Sequence, residues 1–164
     1  MKNTIVIYGS STGTCESIAE KIAAALGVNA IDVAKMTTET VAEYDNLILG
    51  TSTWGAGELQ DDWYDGLNVL RDADLSGKTV ALFGCGDAAS YSDTFVGGIG
   101  ELYNAIKNSG ASFIGKVATD GYEFDDSEAV VDGMFIGLPL DDINEEHKTD
   151  ERINAWVADI KPLL

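Results

Sequence analysis

A hydroxyl-rich loop near the N-terminus has the residue types that hold a phosphate. It follows a short apolar run and consists of Ser10, Ser11, Thr12, Gly13, Thr14 and Cys15. Hydroxyl groups and free backbone N–H groups at the start of a helix can bind a phosphate without a cationic side chain. An ordinary polar turn that caps the helix is the alternative. The lysine of a nucleotide-hydrolysing P-loop is absent, so the loop does not predict a nucleoside triphosphatase.

A tryptophan stands in a second loop, which follows another apolar run. This loop contains Thr51, Ser52, Thr53, Trp54, Gly55, Ala56 and Gly57. Trp54 predicts an aromatic surface for a flat ligand, and the glycines allow the backbone to approach the edge of that ligand. Taken in isolation, the same tryptophan could simply cover the end of a sheet.

A third loop adds a second aromatic residue and favours the ligand interpretation. Its candidate binding residues are Cys85, Gly86, Asp87, Tyr91 and Asp93. Two aromatic side chains beside a phosphate-binding loop predict a planar ring held between them. The spacing of Gly84, Gly86 and Ala89 matches a dinucleotide fingerprint only superficially, because it follows the fourth predicted strand rather than opening the first β-α-β unit.

The cysteine and histidine residues offer little for metal binding or catalysis. Cys15 and Cys85 are far apart in the sequence, which predicts neither a disulfide framework nor a multi-cysteine metal site. His147 is the single histidine and lies in an acidic segment before the last predicted helix, where no catalytic dyad or triad can be assembled around it.

The elements that must position these loops alternate along the chain. Apolar runs predict strands at residues 5–8, 29–33, 46–51 and 79–83, and helical spacing predicts helices at 16–26, 38–43, 62–71 and 95–106. A last helix follows Thr149 as its N-cap. Two apolar pieces, 112–117 and 133–138, flank the acidic segment 120–132, and we interpret them as a fifth strand interrupted by an insertion.

Strands that alternate with helices predict one α/β domain over residues 1–164. We expect a doubly wound, five-stranded parallel sheet with right-handed crossovers and helices on both faces. In such a sheet, ligands bind outside the carboxyl ends of the strands, where the three candidate loops begin.

The composition limits the classes of function. Of 164 residues, 10 are Lys or Arg and 28 are Asp or Glu, which gives a net charge of −18, and 45% are hydrophobic. The apolar fraction excludes a disordered chain, and the acidic balance argues against nucleic acid as a partner. No apolar run is long enough for a membrane span and no signal-peptide pattern precedes the first strand, so we expect a cytoplasmic protein without a membrane partner.

Taken together, the three loops resemble those of the flavodoxins, small electron carriers that hold one FMN. Residues 10–14 look like the phosphate loop of that family, residues 53–55 like the loop with the inner flavin-stacking aromatic residue, and residues 86–93 like the outer-aromatic loop. Residues 57–63 and 119–122 are similar to the long-chain branch, whose fifth strand is interrupted by an insertion. The resemblance covers essentially the whole chain and implies the strand order 2-1-3-4-5.

Two residues depart from the pattern of the family. Cys15 stands where the phosphate loop usually ends in threonine, and a thiol is a poorer hydrogen-bond donor than a hydroxyl. The departure implies a weaker phosphate contact at Cys15. Cys85 stands where a threonine is common in long-chain members.

The resemblance implies a monomeric, low-potential one-electron carrier with FMN between Trp54 and Tyr91. It further implies that the peptide between Gly55 and Ala56 turns over and stabilises the neutral semiquinone. Six acidic residues lie between positions 58 and 74 and twelve between 120 and 151, so we expect redox enzymes with basic docking surfaces as partners.

Two other functions fit parts of the same pattern. A flavin enzyme on the same fold, such as a quinone reductase or an activating flavoprotein, is the alternative; it requires a substrate pocket over the ring, where Tyr91 is expected. A phospho-acceptor signalling domain of this topology requires an acidic cluster after the first strand, and the loop there is rich in hydroxyl groups instead.

Overall fold

A parallel sheet with helices on both faces forms the centre of the protein. The computed structural model describes residues 3–54 and 57–164. The strands are β1 (Thr4–Gly9), β2 (Asn29–Asp32), β3 (Asn46–Trp54), β4 (Glu58–Leu59), β5 (Thr79–Cys85), β6 (Ser112–Ile114), β7 (Val117–Ala118), β8 (Val130–Val131), β9 (Met134–Phe135) and β10 (Leu138–Leu140). The α-helices are α1 (Thr14–Leu26), α2 (Thr38–Glu43), α3 (Asp62–Asp72), α4 (Gly97–Ile106) and α5 (Glu146–Ile160).

The order of the main sheet confirms the predicted doubly wound topology. The strands lie side by side as β2-β1-β3-β5-β10, all parallel, and the short β4 pairs antiparallel with β3. Counted along the chain, β5 is the fourth long strand, so this order is the expected 2-1-3-4-5. The carboxyl ends of β1, β3 and β5 therefore lie next to one another, and the loops that follow them meet.

The central strands lack polar alternation because both of their faces are covered. All six residues of β1 are buried, as are the first six of β3. Ile7 and Leu49 belong to the hydrophobic cluster on one face, whereas Val6 and Ile48 belong to the cluster on the other. This two-residue period is the one expected for a strand between two layers of helices.

The fifth strand consists of two pieces that pair with different halves of β5. Phe113 of β6 pairs with Val80, and Leu138 of β10 pairs with Phe83. The residues between the two pieces, 115–137, contain the antiparallel sheet β7-β9-β8. The expected interruption is confirmed, but the expected bounds of the pieces are wrong, because β6 ends at Ile114 and residues 134–135 pair within the insertion.

The start of the last helix also differs from the expectation. Helix α5 begins at Glu146, so Thr149 is not its N-cap. Thr149 is buried within the helix, and its hydroxyl donates a hydrogen bond to the carboxylate of Asp142. His147 is an exposed residue of this helix rather than of the preceding loop.

Candidate functional site

A cavity of about 270 Å³ opens at the carboxyl edge of the sheet and contains many of the predicted residues. The predicted residues that line it are Thr12, Thr14, Ser52, Thr53, Trp54, Cys85, Gly86, Asp87 and Tyr91. Thr12 lies in the loop after β1, and Gly86, Asp87 and Tyr91 lie in the loop after β5. Ser52, Thr53 and Trp54 form the end of β3 rather than the expected loop, because β3 continues there to pair with β4. The topology nevertheless brings the carboxyl ends of β1, β3 and β5 to one cavity, as predicted.

Five further lining residues were missed by sequence reasoning. They are Thr94, Phe95, Val96, Asp142 and Ile143. The first three continue the loop that carries Tyr91 toward α4. The last two follow β10, and the rule that ligands bind after the strands would have pointed to them if the end of that strand had been placed correctly.

The loop after β1 presents the uncapped start of α1. Gly13 precedes the helix with a φ of 91°, and no side chain caps the helix. The Ser10 hydroxyl accepts a hydrogen bond from the Gly13 N–H at 3.1 Å, and the Ser11 hydroxyl accepts one from the Gln60 amide at 3.1 Å. An uncapped helix start with hydroxyl groups around it is a favourable environment for an anion.

Two aromatic side chains of the cavity are unusually exposed for their size. Trp54 is 43% exposed and Tyr91 is 51% exposed. The Trp54 indole N–H donates to the Ser52 hydroxyl at 2.9 Å, which fixes the orientation of the ring. The Tyr91 N–H donates to the Asp87 carbonyl at 2.9 Å, which closes the turn that carries this residue. Flat apolar surfaces of this kind suit the faces of a planar ligand.

The cavity also holds a buried hydroxyl that has no hydrogen-bond partner. Within the described part of the chain, the Thr94 Oγ1 is buried and unpaired. Buried polar atoms are nearly always hydrogen-bonded in folded proteins, so an unpaired one that lines a cavity fits a ligand with a polar edge. A planar ring with polar edge atoms and a phosphate tail therefore fits the donors and surfaces present.

Several predicted residues lie beside the cavity rather than on its wall. Ser10, Ser11 and Gly13 belong to the loop at the start of α1, and Asp93 is exposed next to Thr94. Thr51 is buried, donates to the Ser52 carbonyl at 2.8 Å and accepts from the Gln60 N–H at 3.2 Å. Gly57 is buried with a φ of 89°. Gly55 and Ala56 lie outside the described residues.

The two cysteines, although distant in sequence, lie side by side. Cys15 is fully buried and Cys85 is nearly so. A hydrogen bond with Cys85 and burial hold the pKa of the Cys15 thiol well above its ordinary value. Both side chains belong to the same hydrophobic cluster, and of the two only Cys85 lines the cavity.

A metal-binding cluster and a membrane-spanning helix are both absent from the described ranges. No group of three or more His, Cys, Asp or Glu residues there could hold a metal ion. Among the helices of the same ranges, none is long and apolar enough to cross a membrane.

Comparison with known proteins identifies the family. The family model described as Flavodoxin matches residues 6–156. This chain belongs to the flavodoxin family. Flavodoxin 1 of Azotobacter vinelandii is 47% identical over 160 residues, which cover 93% of this chain and 92% of that protein. The flavodoxin of Helicobacter pylori is 42% identical and covers 95% of this chain and 94% of its own length.

A solved flavodoxin has nearly the same backbone. The crystal structure of Fusobacterium nucleatum flavodoxin bound to flavin mononucleotide superposes with a TM-score of 0.94 at 32% identity. The match covers 100% of this chain and 99% of that one. Flavodoxins are electron-transfer proteins rather than enzymes.

Proposed function

We propose that this protein binds one FMN in the cavity between Trp54 and Tyr91 and carries single electrons between redox enzymes. The observation that carries the proposal is the placement of two exposed aromatic side chains and an uncapped helix start on one cavity at the carboxyl edge of the sheet. Membership of the flavodoxin family and the FMN in the Fusobacterium nucleatum structure support it.

Each part of the site contributes a different interaction. The start of α1, with the hydroxyl groups of Thr12 and Thr14, holds the phosphate. Trp54 and Tyr91 pack against the two faces of the ring and exclude water from it. The Thr94 hydroxyl, otherwise unpaired, hydrogen-bonds to the polar edge of the ring. When bound, the flavin supplies the one-electron chemistry.

The remaining predicted residues complete the proposed site. They lie at or after the carboxyl ends of β1, β3 and β5 and are Ser10, Ser11, Gly13, Cys15, Thr51, Ser52, Thr53, Gly57, Cys85, Gly86, Asp87 and Asp93, together with Gly55 and Ala56, which lie outside the described residues.

The charges around the cavity favour a low reduction potential. Asp87 and Asp142 contribute to its wall, and the whole chain carries a net charge of −18. Negative charge added to a group beside carboxylates is disfavoured, and the low dielectric of a covered site strengthens the repulsion. A carrier with these surroundings gives up its electrons readily.

We also infer the setting in which the carrier works. The chain acts as a cytoplasmic monomer of one domain, and its acidic surface meets basic docking surfaces on a donor reductase and on acceptor enzymes. Trp54, Tyr91 and the 72%-exposed Ile143 surround the cavity mouth, so a docked partner approaches the cofactor across an apolar contact.

A flavin titration of the apoprotein tests the binding site. FMN should bind more tightly than riboflavin by several orders of magnitude, because charge-assisted hydrogen bonds to the phosphate contribute about 1.5 to 3 kcal/mol each. Tyr91→Leu should weaken both flavins about tenfold through the loss of an aromatic contact. Tyr64→Leu is the matched control, since Tyr64 is also 51% exposed but lies away from the cavity.

Three outcomes contradict the proposal. Failure to take up FMN excludes a flavin carrier. Equal affinities for FMN and riboflavin exclude the phosphate site. Steady-state oxidation of NADH by quinone with the purified protein alone indicates a flavin enzyme instead of a carrier.

A further inference from the structure

A buried carboxylate stands directly behind the cavity without lining it. Asp141 follows β10 and is 1% exposed. Its oxygens accept hydrogen bonds from the Ala88 N–H at 3.1 Å, the Ile143 N–H at 3.2 Å and the Asn144 N–H at 2.9 Å. No Lys, Arg or His forms an ion pair with Asp141 in the residues that the structure describes. A buried carboxylate is tolerated only when hydrogen bonds replace its water, so these donors hold it in place.

Asn144 extends this hydrogen-bond network to the loop that carries Tyr91. Its side-chain amide donates to Asp141 at 2.9 Å and to the Asp87 carboxylate at 2.8 Å. The same Asp87 carboxylate accepts the Ser90 N–H at 3.0 Å. The Ser90 N–H and the Asn144 amide lower the pKa of Asp87, so its carboxylate remains charged and continues to accept both bonds.

Three connections therefore join the loop after β10 to the loop after β5. One is the backbone bond from the Gly86 N–H to the Leu140 carbonyl at 2.9 Å. The other two are the bond that the Ala88 N–H donates to the Asp141 carboxylate and the bond that the Asn144 amide donates to the Asp87 carboxylate. Both loops reach the cavity, one through Asp87 and Tyr91 and the other through Asp142 and Ile143.

We propose that Asp141 and Asn144 are positioning residues that hold the Tyr91 loop against the flavin ring. The proposal rests on the proposed function, because it takes the cavity to be the flavin site. Neither residue lines the cavity, so their effect reaches the ring through Asp87, Ala88 and the turn closed by Tyr91. The phosphate, by contrast, binds at the start of α1, which this network does not contact.

Because the ring and the phosphate bind to different parts of the site, the proposal predicts a specific pattern of flavin affinities. Weakening the network should loosen the ring contacts that FMN and riboflavin share, and it should leave the phosphate contact intact. The affinities of the apoprotein for the two flavins should therefore fall by the same factor, and their ratio should stay at the wild-type value. A smaller folded fraction of apoprotein would weaken both flavins by one factor as well, so the affinities are compared under conditions in which urea unfolding shows each apoprotein to be folded.

Two substitutions test the proposal. Asp141→Asn keeps the size of the side chain but turns an NH₂ group toward one of the N–H donors that the carboxylate satisfied. Asn144→Ala removes the hydrogen bond to Asp87. Because Asn144 is exposed, this variant should remain folded even if Asp141→Asn, a change at a buried residue, does not. Each should weaken FMN and riboflavin about tenfold, which corresponds to about 1.4 kcal/mol. Asp159→Asn and Asn154→Ala, exposed changes of the same type in α5, are the matched controls.

Two further measurements separate positioning from stability. Hydrogen exchange of the Ala88 amide in the apoprotein should become faster in both variants, because its acceptor is lost or displaced. The double variant should weaken flavin binding by less than the product of the single effects, since both residues act on one loop.

The outcomes distinguish the two proposals. Unchanged flavin affinities in folded variants overturn the positioning role, as does a loss of FMN affinity without a loss for riboflavin. A wild-type apoprotein that takes up neither flavin overturns the proposed function itself, whatever the variants do.

Discussion

Two side chains that support the loop between β1 and α1 leave no room for a side chain at Gly9. A Cβ on Gly9 would lie 2.5 Å from the Trp63 Cδ1 and 2.6 Å from the Gln60 Oε1. Trp63 is fully buried and donates to the Gly50 carbonyl at 2.8 Å, and Gln60 holds the Ser11 hydroxyl. Neither neighbour can move without breaking a hydrogen bond, so the loop proposed to hold the phosphate depends on the absence of a side chain at position 9.

Gly9→Ala should therefore affect both stability and flavin binding. We expect the free energy of unfolding to fall by about 1 to 3 kcal/mol, the usual cost of overpacking, and FMN affinity to fall with it. Urea unfolding of the apoprotein and an FMN titration measure the two effects. Gly133→Ala is the control, because a Cβ there meets nothing within 4 Å and only the positive φ of 82° strains it. Equal FMN affinities in the two variants would contradict this role of Gly9.

The Cys15 side chain does not line the cavity, which changes the expected effect of replacing it. If the thiol faced the phosphate, Cys15→Thr would add a hydroxyl donor and strengthen FMN binding. The fully buried Cys15 side chain contacts Cys85 instead. We therefore expect Cys15→Thr to leave FMN affinity within about twofold of wild type and to lower the free energy of unfolding by about 1 to 3 kcal/mol, because it buries a hydroxyl. A titration in which FMN binds at least tenfold more tightly would show that the position faces the phosphate.

Among the elements, the insertion is attached to the rest of the protein by both aromatic and charged contacts. Phe135 packs against Phe95 with ring centroids 6.1 Å apart, and the Arg152 guanidinium of α5 lies 4.0 Å above the Tyr122 ring. Glu128 of the insertion lies beside Glu101 of α4. Burial first, and then a hydrogen bond with Glu101, raise the pKa of Glu128 above its ordinary 4.5.

This carboxyl pair predicts a pH dependence at the junction of the insertion and α4. A raised pKa means that the folded protein binds the Glu128 proton more tightly than the unfolded chain does. The contribution of Glu128 to stability is thus present below pH 4.5 and is lost as the pH rises through the folded pKa. Glu128→Gln should match wild type in acid and be more stable at neutral pH.

Urea unfolding at several pH values measures this difference. Glu123→Gln, an exposed change in the same insertion, serves as the control. A stability difference between Glu128→Gln and wild type that does not grow with pH would count against the carboxyl pair.

The elements that the sequence predicted well are those whose pattern is local. Helix α2 has the predicted bounds, and α1 ends before Gly27, which adopts the left-handed conformation expected of a helix stop. Strand β10 was misplaced because it contains Pro139, an unusual strand residue, while Met134 and Phe135 nearby form an equally apolar segment. Apolar content alone does not say which of two such segments joins the sheet.

In the candidate site, too, sequence patterns predicted the local features and missed the contacts between distant residues. Trp54 and Tyr91 are recognisable because large aromatic residues stand out at the ends of strands and in the loops that follow them, although Trp54 is the last residue of β3 rather than a loop residue. The bond from Asn144 to Asp87 spans 57 residues and that from Ala88 to Asp141 spans 53, and no local pattern predicts either. Cys15 and Cys85 meet for the same reason, through the topology of the sheet rather than through their spacing.

At the scale of the whole molecule, electrostatic repulsion is the dominant feature. The net charge is −18, and the ion pairs within the described residues are Lys21–Asp150, Lys148–Glu145 and Arg152–Glu145. The exposed pair Lys21–Asp150 contributes little to stability, and three pairs leave most of the 28 acidic residues without a cationic partner. Most carboxylates of the surface therefore repel one another without compensation, and the proposed docking to basic partners uses the same surface.

Salt should consequently act in opposite directions on stability and on partner encounter. Raising NaCl from about 0.02 to 0.5 M shortens the Debye length from roughly 20 to 4 Å, so the free energy of unfolding should rise as the repulsion is screened. The rate of electron transfer to a basic partner should fall over the same range. Denaturant unfolding and stopped-flow kinetics measure the two slopes. A transfer rate independent of salt would contradict docking through the acidic surface.

The position of β1 in the middle of the sheet also bears on how the chain is made. Its neighbours β2 and β3 both follow it in sequence, and the bond between the Asn46 amide and the Thr4 hydroxyl at 2.9 Å joins residues 42 positions apart. A nascent chain leaving the ribosome therefore exposes this strand, which is fully buried in the native fold, before either neighbour has been synthesised. Contacts between such distant residues require long loops to close, which slows folding and populates partly folded states. Helix α1 follows β1 directly in sequence and packs against it in the native fold, so it is the first element that can cover one face of the strand.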